Sequence, residues 1–167
     1  MNFKHILKII FICGLLTLSA CATQMQESER SQGQLYDLEK EAAKAYKNKN
    51  WKLAEEKYGL LISESPKIAE VWYMLGNIYA RTARPEKAIV AYKEAVVRRA
   101  DYKQAWRNLG IISLRTTAHF YIEMLLYLDH ESEVYIRAKK TSEILLKLIR
   151  RNQAATMKQK VGKADLK

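Results

Sequence analysis

The sequence predicts an all-α fold: a short helical solenoid of two full helix-pair repeats and a partial third, closed by capping helices at its C-terminal end. Three observations predict it. Only 2 prolines and 6 glycines punctuate 167 residues, so few positions force the chain out of a helix. Trp72, Leu75, Gly76 and Tyr79 stand at 0, 3, 4 and 7, the spacing of one helix face. The pattern then recurs at a fixed interval, because Trp106, Leu109 and Gly110 follow Trp72, Leu75 and Gly76 by one and the same distance along the chain. A hydrophobic content of 49% suits one mainly helical domain with a small core.

Residues 1–20 read as a secretory signal. Lys4, His5 and Lys8 precede an apolar run from Ile9 to Leu16, too short to span a membrane, and Leu18-Ser19-Ala20-Cys21 ends it. That ending looks like a bacterial lipobox. The resemblance implies that the Cys21 thiol takes up diacylglycerol, that cleavage frees its amine for acylation, and that the chain is lipid-anchored. Ala22, not aspartate, follows the cysteine, which by resemblance to enterobacterial sorting implies the outer membrane, with the domain expected on its periplasmic face. Several acyl chains make a stable anchor at ~0.8 kcal/mol per buried CH2. Cys13 leaves with the signal, so the exported domain has no thiol for a disulfide, a metal or catalysis.

Residues 21–34 carry the lipidated cysteine and a polar stretch without apolar period, read as a flexible tether with a root-mean-square span of ~20 Å. The ordered region is expected over 35–150. In its first repeat, Trp51, Ala54 and Tyr58 precede Pro85, Ala88 and Tyr92 by that same interval, and Leu38, Glu41, Ala42 and Ala45 form a degenerate first helix. The central repeat runs from Trp72 to Ala95, broken at Arg84-Pro85, with Gly76 letting its second helix approach closely. The third begins at Trp106, but Ile122, Leu126 and Asp129 hold the places of Ala88, Tyr92 and Ala95. Either the helix from Gln104 continues through residues 120–128, or a break near Thr116-Thr117 starts another. In both readings Phe120, Ile122, Leu125 and Leu126 cap the solenoid end. A last helix is expected over 131–150, its stripe formed by Val134, Ala138, Thr141, Leu145, Leu148 and Ile149. Residues 151–167 lack aromatic residues and period and are expected to be a disordered basic tail.

The Trp72 to Ala95 segment resembles the tetratricopeptide repeat, whose W-x2-L-G-x2-Y…A-x3-F signature recurs with a period of about 34 residues. Tyr92 replaces its phenylalanine. The resemblance covers Leu35 to about Leu114 and implies a protein-binding scaffold, with first helices lining a concave groove. Its candidate lining is Tyr73, Asn77 and Arg81 from the central repeat, Arg107 and Asn108 from the third, and Tyr36, Glu39 and Ala43 from the first. Asn77 and Asn108 match the two asparagines of the carboxylate-clamp subset of the family, although Tyr73 stands where that clamp has a lysine. Outer-membrane lipoproteins with such repeats include the pilotins of type IV and Tad pilus systems and adaptors for cell-wall hydrolases. The first kind, an assembly factor for a pilus or secretion complex, is the leading expectation, and a peptidoglycan-enzyme adaptor is the alternative.

Charge and motifs bear on the remaining classes. The formal net charge is +11, and +9 once Lys4 and Lys8 leave with the signal; residues 137–167 alone hold ten basic side chains against Glu143 and Asp165. Such an excess implies an anionic surface nearby, with an envelope polymer the candidate partner for the tail. Nucleic acid is not expected, since the tail has no aromatic residue to stack on bases. No metal site, cofactor or catalysis is expected: His119 and His130 lack ligand spacing, and neither a phosphate loop nor a nucleophile-base arrangement is present.

Overall fold

The computed structural model describes residues 32–164, with side chains to residue 154. The signal, Cys21 and the tether as far as residue 31 lie outside the described residues, as do the last three residues. The described residues are all-α, without strands, in successive antiparallel helices. Its helices are α1 (residues 32–47), α2 (Trp51–Glu64), α3 (Ala69–Arg81), α4 (Pro85–Arg98), α5 (Lys103–Met124) and α6 (Glu133–Ala164). Two compact units divide at the Glu64/Ser65 boundary.

In the first unit α1 and α2 bury Ala42 and Ala45 with Ala54, Tyr58 and Leu61. Small residues on α1 let Tyr58 pack in, which is why the degenerate helix still serves. Glu41 on α1 pairs with Lys57 on α2 at 2.7 Å, and that ammonium lowers the carboxyl pKa while its own is raised. The turn between them reappears one repeat later. Asn50 N–H reaches Ala45 O at 2.9 Å and Arg84 N–H reaches Tyr79 O at 3.0 Å, with Lys49 and Ala83 left-handed at φ 56° and 55°. Both are helix C-caps of the Schellman kind, holding non-glycine residues where glycine is favoured. Trp51 and Pro85 are the first residues of α2 and α4; a helix start needs no N–H from proline.

In the second unit each helix packs on its neighbour, α3 on α4, α4 on α5 and α5 on α6. Ala88, Tyr92, Ala95 and Val96 meet Ala105, Leu109 and Ile112 in the core, with Leu75, Gly76 and Ile78 of α3 also buried. A Cβ on Gly76 would lie 2.6 Å from the Tyr92 ring, so the absent side chain sets the α3–α4 approach. Trp72 is half-buried rather than enclosed. Its indole N–H donates to Pro66 O at 2.9 Å, and the Arg98 guanidinium lies 4.7 Å from its ring centre. Trp106, its counterpart in the next repeat, makes the equivalent bond to Ala100 O at 2.8 Å and is half exposed.

Of the two readings at Thr116, the structure has no break there: α5 runs unbroken from Lys103 to Met124, ending short of the expected residue 128. The places of Ala83, Arg84 and Pro85 hold Thr117, Ala118 and His119, so no proline stops the helix, and Thr116 Oγ1 donates to Ile112 O at 3.0 Å within it. The expected cap is corrected: Leu125 is half-buried, but Phe120, Ile122 and Leu126 are exposed, because α6 covers one side of α5 only. Ser132 starts α6, its hydroxyl accepting from Tyr135 N–H at 3.2 Å. Its buried line runs through Ala138 and Ser142, with Tyr135, Leu145 and Ile149 half-buried, while Val134 and Leu148 turn outward. Small residues at 138 and 142 allow the closest approach to α5, which rotates the stripe away from its bulkier members. The helix passes Arg151, where order is expected to stop, and reaches Ala164; Gln, Ala, Met and Lys are good helix formers and no proline intervenes.

Candidate functional site

The groove candidates of the central and third repeats all lie in the second unit. Asn77 occupies the α3 face that looks onto α4 and α5, and it is buried, at 6% exposure. Tyr92 O–H donates to its side-chain oxygen at 2.9 Å, and Asn108 Nδ2 from α5 donates to the same atom at 3.0 Å. Asn108 Nδ2 also approaches the hydroxyls of Tyr73 at 3.4 Å and Tyr92 at 3.5 Å. The Asn77 amide nitrogen faces Met74 Sδ at 3.9 Å. One amide oxygen thus ties three helices together in a setting where unmade hydrogen bonds are costly.

Tyr73 closes this set on the aromatic side. It is half-buried, its ring 5.9 Å from Tyr92 and 4.9 Å from Tyr102, and Tyr102 in turn lies beneath the Arg99 guanidinium at 3.6 Å. Burial pushes the Tyr102 hydroxyl pKa upward, an effect that the nearby arginine opposes. Arg99 also pairs with Glu70 on α3. Arg81 and Arg107 are exposed. Arg81 stands one turn beyond Asn77 and donates to its carbonyl oxygen at 3.5 Å, and Arg107 is next to Asn108.

The sequence therefore brings Tyr73, Asn77 and Asn108 together, but in a different role. Their mutual bonding makes a rigid floor, and Arg81 and Arg107 are the members that reach solvent. Tyr92 is the residue that sequence reasoning placed in packing alone; its hydroxyl, absent from the family's phenylalanine, is the signal that a polar partner lies within reach. Tyr36, Glu39 and Ala43 are exposed on α1.

A second concavity lies on the opposite side of the α3–α4 pair. Trp72, Leu75 and Tyr79 with Val90 and Ala91 form an apolar groove of about 310 Å³, rimmed by Glu86 and Lys87. Arg84 and Lys87 stand over the Tyr79 ring at 4.8 and 5.7 Å. The packing stripe expected from the sequence is thus partly a surface. Val90, outside the Ala88-Tyr92-Ala95 line and more than half exposed, is the residue that could have signalled it.

Among the described residues no group of three or more His, Cys, Asp or Glu side chains could hold a metal ion, and no helix is long and apolar enough to cross a membrane. Residues 69–112 match the family model described as Tetratricopeptide repeat. No curated protein matches the chain. Among solved structures it is similar to the TPR2B-domain:pHsp70-complex of yeast Sti1, at 15% identity and a TM-score of 0.48, over 64% of this chain and 97% of that one. The repeat is of a kind that serves as a protein-protein interaction scaffold.

Proposed function

We propose that this chain is a lipid-anchored scaffold of the bacterial outer membrane, an assembly factor of the pilotin kind. It holds a protein partner on the face shared by α3 and α5. The observation that supports this reading is the hydrogen-bonded set of Tyr73, Asn77, Tyr92 and Asn108, which fixes three helices while Arg81 and Arg107 flank it in solvent. A floor ordered before binding reduces the entropy lost on association, and guanidinium forks suit carbonyl or carboxylate groups of an extended peptide. Acylation at Cys21 would keep the scaffold at the membrane, and residues 22–31 would lift it clear of the head groups. The basic end of the chain would lie near anionic envelope polymer.

The test has two arms. Cys21→Ser should abolish fatty-acid labelling and leave an unprocessed precursor, since oxygen does not replace the thiolate nucleophile here; normal processing would sink the anchor. A pull-down from membrane extract should recover a pilus or secretion component with the wild type and lose it with Arg81→Ala, Arg107→Ala. Recovery of a peptidoglycan hydrolase instead would establish the adaptor reading.

A further inference from the structure

Helix α5 outruns the helix it packs on. It has 22 residues and α4 has 14, about 33 Å against about 21 Å. Asn108 lies opposite Tyr92, and each step along α5 moves one residue back along α4, so Arg115 faces Pro85 and the helix from Thr116 onward projects past the end of α4. On the projecting part α6 covers the side carrying Ala118, which is buried. The other side and the turn after it are open: Phe120 on the helix is 56% exposed, and Leu126 and Tyr127, beyond its end at Met124, are 77% and 81% exposed. Three large apolar side chains together at one end of a helical hairpin mark an interaction surface.

Charge selects the occupant. From Thr116 to Ile136 there is no lysine or arginine, while Glu123, Asp129 and Glu131 stand in sequence among the exposed apolar residues and Glu133 pairs with Arg137, in a chain of net charge +11. Anionic head groups are therefore a poor match for this end. The complement occurs on the chain itself. On α6, Ile144 and Leu148 are exposed one turn apart, with Lys147 and Arg151 exposed beside them. From Arg137 to its C-terminal end α6 holds nine basic residues against Glu143. Within one molecule Glu133 pairs with Arg137 at the start of α6, but this helix of 32 residues, about 48 Å long, carries Lys147 and Arg151 away from the hairpin end.

We propose that the apolar, acidic end of the α5–α6 hairpin docks the basic, apolar-flanked part of α6 of a second copy of this chain. The contact is head-to-tail, so each copy keeps one donor and one acceptor surface and association extends beyond a pair or closes into a ring. The pairs in contact are exposed, so salt screens them and weakens the association.

The test is sedimentation of the full chain in non-ionic detergent with two charge-reversed variants, all retaining wild-type helicity. One carries Glu123→Lys with Glu131→Lys, the other Lys147→Glu with Arg151→Glu. The wild type should associate at low ionic strength and less so in salt. Each variant alone should associate at least about tenfold more weakly, and an equimolar mixture of the two should recover association. A wild type that stays monomeric at every salt concentration, or self-association that the reversals leave unchanged, overturns the proposal. A photo-crosslinker in place of Tyr127 in the full chain gives an independent reading: attachment to α6 of another copy supports it, and attachment to lipid alone or only to a different protein refutes it.

Discussion

Gly76 and Gly110 hold the same place in successive repeats and do opposite things. A methyl group on Gly76 would meet Tyr92 ring carbons at 2.6 Å, and that ring is 2% exposed and held by its hydroxyl to Asn77. It has nowhere to swing. Gly76→Ala should therefore cost about 1–3 kcal/mol, the usual penalty for overpacking, less a fraction regained in helix propensity. Around Gly110 nothing lies within 4 Å, because α5 continues where a returning helix would have packed. Gly110→Ala should stabilise the chain by about 0.5–1 kcal/mol through backbone entropy alone. Denaturant titrations of the two variants give the sign directly, and equal shifts would mean that the helices are not spaced as described. Tyr58 supplies the residue-scale pH prediction. Its hydroxyl pKa is pushed up to about 12 from an ordinary 10.0, first by burial and then by Glu39 and Tyr46. The unfolded chain therefore ionises first: the contribution is whole below pH 10 and is lost as pH climbs to 12, on the order of 2 kcal/mol. Melting curves across that alkaline range should fall more steeply for the wild type than for Tyr58→Phe, which keeps the ring and has nothing to titrate.

At the scale of elements, the two α-hairpins share a turn that the side chains advertise poorly. Lys49 and Ala83 both take a left-handed conformation, at φ 56° and 55°, in caps at equivalent places of successive repeats. An L-residue there costs roughly 1–2 kcal/mol, and glycine escapes that cost while losing some backbone entropy. Ala83→Gly should raise the melting temperature, by an amount equivalent to about 0.5–1 kcal/mol; a lower melting temperature would show that the left-handed turn is not formed. The helix faces of the central repeat were legible because Trp72, Leu75, Gly76, Ala88 and Tyr92 combine bulk and smallness in a spacing that one packing geometry explains. The end of α5 was not. Nothing in residues 114–121 starts or stops a helix, so local sequence leaves a long helix and two short ones open, and the structure takes the long one, with Ala118 buried. The stripe on α6 was displaced for a related reason: sequence period reports where apolar residues fall, whereas close approach is set by the small ones, Ala138 and Ser142.

Over the whole molecule, charge and hydrogen bonding separate what supports the fold from what meets a partner. Asn77 was legible as a groove residue by its place in the repeat, yet its side-chain oxygen is taken by Tyr92 and Asn108, a fact that no local pattern encodes because the partners come from 15 and 31 residues away. Arg81 and Arg107 remain at the surface on either side of it. The two groups should therefore respond differently to truncation. Asn77→Ala removes an acceptor from a buried hydroxyl and a half-buried amide, so stability should drop by about 1–3 kcal/mol, and any loss of binding should follow the loss of fold. Arg81→Ala and Arg107→Ala remove exposed guanidinium groups, so melting should be unchanged while affinity for the protein recovered by pull-down weakens by about 1–2 kcal/mol each. Salt should weaken wild-type binding more than it weakens binding of the double variant, because the arginines carry the screened part of the attraction. Calorimetric titration at two ionic strengths, paired with thermal melts of the same samples, separates these outcomes. Binding that survives both arginine substitutions but fails with Val90→Glu would move the site to the apolar groove of Trp72, Tyr79 and Val90, on the opposite side of the α3–α4 pair.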